Sequence, residues 1–350
     1  MFKTFRVAVV IPCYRVEATV TDVVAKIPEF VDWIIAVNDA SPDGTQAVLQ
    51  SIPDPRLVLL EHEANQGVGG AMATGYEEAL RRDADIVVKL DGDGQMDPPF
   101  MRHLVEPIAE EICDYAKGNR FLHFQALKKM PWSRKIGNIS LTFLTKLASG
   151  YWHTFDPQNG YLAIRTDYLR ALDLDRLRSR RYFFENEMLI RLNVESARVL
   201  DCPMPSVYAG EVSSLRIGKV LTYFPYFLTR GFLSRLFHRY VLRDFSVVIP
   251  LYLFGGFSFL FGLLFGLFAL VVRIAPQVIG SFGVSLRTRG TMLHELSAIL
   301  PVDPNVPLPS ATVMLSVLPL MLGVQFLLQG LLIDILSTPR VERPTWHYEK

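Results

Sequence analysis

The chain has 350 residues, with 36 Lys and Arg against 35 Asp and Glu, a formal net charge of +1 and 50% hydrophobic residues. That length holds a catalytic domain and something more; a charge near zero argues neither for nor against nucleic acid, and no basic-aromatic cluster suits it apart from one better explained by lipid. Three scattered cysteines, Cys13, Cys113 and Cys202, have no metal-ligand spacing and suit a reducing compartment.

Met1 to Arg6 carries two charges and the apolar stretch that follows is five residues long before Pro12, so no signal peptide is expected and residues 1–210 are expected to stay in the cytoplasm. Val7 to Ile11 and Trp33 to Val37 predict short buried strands separated by a helix over Ala18 to Ile27, and Leu57 to Leu60 and Ile86 to Leu90 repeat the theme. This alternation predicts an α/β fold with a mostly parallel sheet and its functional loops at the carboxyl ends of the strands. Gly67-Val68-Gly69-Gly70 opens a helix running towards Arg82. A dinucleotide fingerprint would need glycine at position 72, which is Met72, so the NAD reading fails at its own motif. Asn65-Gln66-Gly67 is either one wall of a nucleotide pocket at a helix N-terminus or a device for close helix–sheet packing.

The run Asp91-Gly92-Asp93-Gly94-Gln95-Met96-Asp97-Pro98 emerges directly from the strand ending at Leu90. An open α/β sheet places its ligands where a buried strand gives way to such a turn. Asp91, Asp93 and Gln95 supply hard oxygen ligands for Mg²⁺ or Mn²⁺, whose other positions water and substrate phosphates fill. A nucleoside-diphosphate substrate is therefore expected.

Further on, Pro131 to Tyr151 carries an apolar helical stripe of Ile136, Ile139, Phe143, Leu144 and Leu147, while Arg134, Asn138 and Thr142 share another face. Such a helix suits a phosphate headgroup whose tail lies in a bilayer, or is an ordinary amphipathic surface helix. Asp156-Pro157-Gln158-Asn159-Gly160 reads as a turn, and Lys219 to Arg243 alternates aromatic with basic residues like helices in a membrane interface. No charge interrupts Phe245 to Val272 or Ser310 to Ile333. At about 1.5 Å per residue these reach roughly 42 and 36 Å, enough to cross a hydrocarbon core of about 30 Å. The two predict a transmembrane hairpin, with Gly262 and Gly266 as a close-packing face. Gln325 and Gln329 are spaced to pair across the subunits of a homo-oligomer, a dimer or tetramer, or else within the hairpin.

Arg230, Arg235, Arg239 and Arg243 precede the hairpin and Arg340, Arg343 and Lys350 follow it, against Arg273, Arg287 and Arg289 between its helices. This bias places both ends in the cytoplasm and the loop outside, in a cell inner or plasma membrane. The expected domains are 1–216 catalytic, 217–244 juxtamembrane amphipathic helices, 245–336 transmembrane, and 337–350 a cytoplasmic tail.

Val9-Val10-Ile11-Pro12-Cys13-Tyr14, Val37-Asn38-Asp39-Ala40-Ser41-Pro42-Asp43-Gly44-Thr45, Asn65-Gln66-Gly67-Val68-Gly69-Gly70-Ala71, Asp91-Gly92-Asp93-Gly94-Gln95 and Gly118-Asn119-Arg120-Phe121 occur in the order seen in family 2 glycosyltransferases. The series, over about residues 5–218, resembles most the polyprenyl-phosphate glycosyltransferases, the dolichol-phosphate mannose synthase-like group, and the hairpin looks like that of members with two transmembrane helices. The resemblance implies a GT-A (Rossmann-like) catalytic domain. It implies that Pro12, Tyr14 and Asp39 line the base and ribose pocket beside Gly67, and that Asp91, Asp93 and Gln95 contact the ribose-diphosphate and its metal. Arg120, Arg134 and Asn138 match positions that hold the acceptor phosphate. Ser213-Ser214-Leu215-Arg216 resembles a segment closing over the nucleotide, with Arg216 near its phosphates. Two departures stand out: Arg15-Val16 replaces the family's Asn-Glu, leaving Glu17 one residue late, and Asn38 replaces the first Asp of the usual pair, leaving Asp39 as the base-reading carboxylate.

The implied chemistry is a metal-dependent, inverting transfer of a sugar from a UDP- or GDP-sugar to undecaprenyl or dolichyl phosphate on the cytoplasmic leaflet, with Asp93, Arg120 and Arg134 as its catalytic residues. A lipid monophosphate has its second pKa near about 6 and is already anionic, so cations to hold it matter more than a general base. With a hydroxyl acceptor, as in a glycolipid- or polysaccharide-forming enzyme, Glu185 and Glu187 are base candidates; otherwise they pair with Arg180 or Arg181. A processive polymerase is disfavoured, since no Gln-x-x-Arg-Trp occurs and two spans are too few for a pore. An inactive membrane scaffold is the non-enzymatic alternative, against which the intact Asp91, Asp93 and Gln95 set stands.

Overall fold

Val7 to Cys13 contains no charge and both of its faces are covered, which marks it as an interior strand, β1, of the sheet. The computed structural model describes residues 1–120, 132–180, 183–204, 217–281 and 310–341, with backbone alone at 132–138, 217–222 and 272–281. Successive side chains of a strand point to opposite faces, so Val7, Val9 and Ile11 enter one apolar cluster and Ala8 and Val10 the other. β2 (Trp33–Asn38), β3 (Leu57–Glu61) and β4 (Ile86–Lys89) follow, each reached through a helix or turn that returns the chain to the starting edge. The parallel register aligns Val9 with Ile34 on one side and with Val88 on the other.

The sheet is mostly parallel, as expected, and its second half adds one antiparallel strand. β5 (Tyr115–Asn119), β6 (Leu162–Arg165) and β7 (Val199–Pro203) complete seven strands among the described residues, in the order β3-β2-β1-β4-β6-β5-β7. β6 runs antiparallel to both β4 and β5, while β5 and β7 are parallel. These strands lack the apolar run that announces β1. Lys117, Gly118 and Asn119 fill most of β5, and the side chains of Lys117 and Asn119 are buried only because each finds polar partners.

The chain divides into two compact units, residues 1–239 joined by the segment from Thr338, and residues 240–337. In the first unit, the helix Ile217–Phe237 packs on its neighbours with one side. Phe224 and Leu228 pack with Phe183, Ile190 and Ala148, whereas Tyr223, Tyr226, Leu233 and Phe237 stay exposed on the other side. Arg235, counted in the sequence among the basic residues of an interface-like stretch, is fully buried. Its Nε donates to the carbonyl of Ala148 at 2.9 Å and its Nη2 to that of Leu147 at 3.2 Å, which satisfies the open C-terminal end of the helix Trp132–Ser149. Arg239 is likewise turned inward, donating to the carbonyl of Asn193 at 3.1 Å. Arg235→Ala is therefore expected to lower stability by on the order of 1–3 kcal/mol through the orphaned carbonyls alone. Arg230→Ala, at an exposed position of the same helix, is expected to stay within about 0.5 kcal/mol. Thermal unfolding in detergent reads both, and equal losses would contradict the capping role.

In the second unit, Val248–Val271 and Ser310–Leu336 have mean hydropathies of 2.2 and 2.0 and are long and apolar enough to cross a membrane. Gly262 sets their approach, since a Cβ there would lie 2.6 Å from the backbone of Leu320 and Ser316, and Gly323 does the same against the backbone of Phe259. Gln325 and Gln329 are exposed, and among the described residues neither makes a hydrogen bond within the hairpin, so the alternative that they pair its two helices finds no support. Asp334, beyond the uncharged run, is buried and accepts a hydrogen bond from the Tyr240 hydroxyl at 2.6 Å.

Candidate functional site

The order of β1 and β4 beside β2 and β3 creates a crevice at their carboxyl ends, where adjacent connections leave in opposite directions. A cleft of about 410 Å³ opens there, lined by Pro12, Cys13 and Tyr14 at the end of β1, Asp39 after β2, Asn65, Gly67 and Val68 after β3, and Asp91 to Asp93 after β4. Five sequence-selected donor-site residues, Pro12, Tyr14, Asp39, Gly67 and Asp91, and the metal-site candidate Asp93 thus meet around one space.

β4 ends at Lys89, and the turn beyond it is held from both sides. The Thr19 hydroxyl donates to the Gly92 carbonyl at 2.7 Å, and the Gln95 amide donates to Asp93 Oδ1 at 3.0 Å. Gly94 adopts φ +76°, the left-handed region in which a side chain would be strained. Asp91 Oδ1 accepts from Lys89 Nζ at 2.7 Å, while Oδ2 accepts no hydrogen bond among the described residues. Lys89 is buried; burial alone would pull its ammonium down, but Asp91 and then Glu185, 3.6 Å away, hold it above its ordinary value. Glu185 is itself pushed up by burial, against the opposing pull of Lys89.

A divalent cation fits this donor set. Asp91 and Asp93 bring hard carboxylate oxygens to the cleft, and Gln95 belongs to the same turn. Among the described residues no cluster of three His, Cys, Asp or Glu side chains surrounds an ion, so a cation here would complete its shell with water and substrate oxygens. Cys13 also faces the cleft, but burial, reinforced by Asp91, pushes its thiol up to about 12, which leaves it neutral and a poor nucleophile.

Asp39 lines the cleft and is also engaged within the chain. Its carboxylate accepts from the Gln66 amide at 2.8 Å and the Gly67 amide at 2.7 Å, and meets His62 Nδ1 at 2.8 Å. The anion at the start of the helix Val68–Arg81 is thus the chain's own Asp39. A Cβ at Gly70 would strike Gln66 of the preceding loop, whereas the close helix–sheet approach lies further along, at Gly75 against Val10 of β1. Glu17 accepts from the Gly44 amide at 2.9 Å and so orders a neighbouring helix start.

Arg120 lies at the end of β5, where Asp156 accepts its Nε at 2.7 Å and its Nη2 at 2.9 Å. Arg134 and Asn138 belong to the helix Trp132–Ser149, their side chains lying outside those described, and Arg216 lies outside the described residues altogether. Glu187 is buried among Arg176, Arg191 and Arg180 at 2.8, 3.1 and 3.3 Å. Glu185 pairs with Lys89 rather than with Arg180. Lys89, Lys117, His62 and Asp201 went unnoticed in the sequence. For Lys89 a signal existed, because a strand period of two aims Lys89 and Asp91 to one side.

The sequence profile described as Glycosyl transferase family 2 matches residues 8–173. The chain is 31% identical to the UDP-N-acetylglucosamine–dolichyl-phosphate N-acetylglucosaminyltransferase of Methanococcus voltae, over 62% of this chain and 92% of that one. It is 30% identical to the undecaprenyl-phosphate mannosyltransferase of Micrococcus luteus, over 58% of this chain and 84% of that one. Among solved structures, it is similar in fold to glucosyl-3-phosphoglycerate synthase from Mycobacterium tuberculosis, with a TM-score of 0.48 and 18% identity over 67% of this chain and 80% of that one.

Proposed function

The chain belongs to glycosyl transferase family 2, and on that footing we propose that it transfers a sugar from a UDP- or GDP-linked donor to a polyprenyl phosphate at a membrane surface. The observation that carries this reading is the cleft that joins Asp91 and Asp93 to Pro12, Tyr14 and Asp39, in a chain whose relatives are named for transfer to dolichyl and undecaprenyl phosphate. Asp91 and Asp93 would hold Mg²⁺ or Mn²⁺, with Gln95 beside them, and the ion when bound neutralises the departing nucleoside diphosphate. Pro12 and Tyr14 would flank the base. Asp39 would contribute by fixing the Asn65–Gly67 wall through the two amide hydrogen bonds it accepts. Arg216 would meet the donor phosphates.

On the acceptor side, Arg120, Arg134 and Asn138 would hold the lipid phosphate against repulsion from the donor. A phosphate oxygen already carries the charge needed to attack the anomeric carbon, so a single displacement with inversion needs no proton acceptor. The hydroxyl-acceptor alternative needs one, and the two carboxylates considered for it are engaged, Glu185 by Lys89 and Glu187 by three arginines. Incubation of the purified protein with a panel of radiolabelled nucleotide sugars and either lipid phosphate tests the reading, with label expected in the organic phase. Label that enters only a water-soluble or hydroxyl-linked product would overturn it.

We further propose a cytoplasmic catalytic unit, with the two apolar helices as a hairpin whose intervening loop lies outside. The chain leaves the first unit after Arg239 and rejoins it at Thr338, whose hydroxyl donates to the Gly150 carbonyl at 2.7 Å, which supports one membrane face for both ends. A single cysteine at Thr288 is expected to react with an impermeant reagent added outside intact cells; reaction from the cytoplasmic side alone would reverse the topology. The exposed Gln325 and Gln329 amides support pairing with a second copy, since an amide facing hydrocarbon gains by finding a partner. Cross-linking between cysteines at these positions is expected, and its absence in the membrane would leave the hairpin unpaired there.

A further inference from the structure

The residues 154–160 join two places that the sequence treats as separate. At one end, Asp156 holds Arg120 through both Nε and Nη2, at 2.7 and 2.9 Å. At the other, Gly160 faces Lys89 and Asp91: a Cβ there would fall well inside contact distance of Lys89 Nζ and 3.1 Å from Asp91 Oδ2. The segment between is pinned from below. Buried Lys117 donates to the carbonyls of Phe155, at 3.2 Å, and Asp156, and Asp201 accepts the Phe155 amide at 2.6 Å. A buried ammonium on two carbonyls and a half-buried carboxylate on an amide are costly to displace, so the loop has little freedom to shift.

We infer that this loop is one positioning element for both substrates, acting on the donor through the Lys89–Asp91 contact and on the acceptor through Arg120. Lys89, packed between Asp91 and Glu185, fixes the Asp91 carboxylate with Oδ1 turned to the ammonium and Oδ2 beside Gly160. Gly160 keeps the space in which that ammonium sits. Because Asp156 and Gly160 lie in the same pinned turn, Arg120 and Asp91 are held at a constant separation, as a reaction between two anionic substrates requires. The inference rests on the proposed donor role of Asp91 and acceptor role of Arg120.

Three variants separate the two ends. Removing Lys89 alone would leave Glu185 buried without a partner, so the donor-side variant is Lys89→Met with Glu185→Gln, which is neutral at both positions. Its melting temperature is expected to stay close to wild type, while its affinity for UDP or GDP in MgCl₂ or MnCl₂, read by calorimetry, falls ten- to a hundredfold. Nucleotide binding in EDTA is expected to change little, and KM for polyprenyl phosphate to stay within about twofold, the two readouts that a general loss of structure would move. Asp156→Asn is expected to do the reverse, raising KM for polyprenyl phosphate about tenfold with metal-dependent nucleotide binding intact. Gly160→Ala, a change of one methyl group, is expected to impair both. Metal-dependent nucleotide binding at wild-type strength in both the donor-side variant and Gly160→Ala would overturn the inference. Wild-type protein that binds neither nucleoside diphosphate would instead overturn the proposed function.

Discussion

Asp93→Ala is expected to lower the rate of sugar transfer by about a thousandfold or more while leaving the protein folded. Asp93 sits in the turn beyond β4, outside both main apolar clusters, so its loss removes little packing. What it removes is half of the carboxylate pair available to a cation in the cleft. A Lewis-acid ion contributes several kcal/mol of stabilisation to the charge that develops on a leaving diphosphate, and about 4 kcal/mol corresponds to a thousandfold in rate. Initial rates of wild type and variant, each titrated with Mg²⁺ and Mn²⁺, give the comparison. Full wild-type activity in excess EDTA would take the metal out of the reaction.

The next largest effect is expected at the acceptor. Arg134→Ala should weaken use of polyprenyl phosphate ten- to a hundredfold, because a charge-assisted hydrogen bond contributes on the order of 1.5–3 kcal/mol. Donor binding should change little. Arg134 lies one helical turn before Asn138 on the helix Trp132–Ser149, whose exposed residues further along include Ile139, Phe143 and Leu144. A basic residue beside an apolar surface is the arrangement a lipid phosphate needs, with the head on the arginine and the chain on the hydrocarbon side. Paired measurements of nucleotide-sugar binding and of rate against lipid phosphate separate the two sites. A variant with unchanged lipid dependence would remove Arg134 from the acceptor site.

The first half of the sheet was legible because β1, β2 and β4 are buried on both faces and, like the half-buried β3, are written as largely apolar runs. The antiparallel β6 and the polar β5 were not, since Lys117 and Asn119 are buried through contacts with residues 154–156 and 201 that no local pattern encodes. The same limit applies in the site. The spacing of Asp91 and Asp93 after a strand points to the cleft directly, whereas the engagement of Asp39 by the Gln66 and Gly67 amides follows from the meeting of two distant loops. The inward-facing Arg235 shows the reverse error, a charge that composition assigns to the surface and that the open end of a neighbouring helix draws into the interior.

The proposed chemistry rests most heavily on the acceptor being a phosphate. Purified protein supplied with its nucleotide sugar and Mg²⁺ should label polyprenyl phosphate and leave the matching unphosphorylated polyprenol unlabelled, in the same detergent and at the same concentration. Equal labelling of the two lipids, or labelling of the alcohol alone, would contradict the lipid-phosphate site and favour a hydroxyl acceptor.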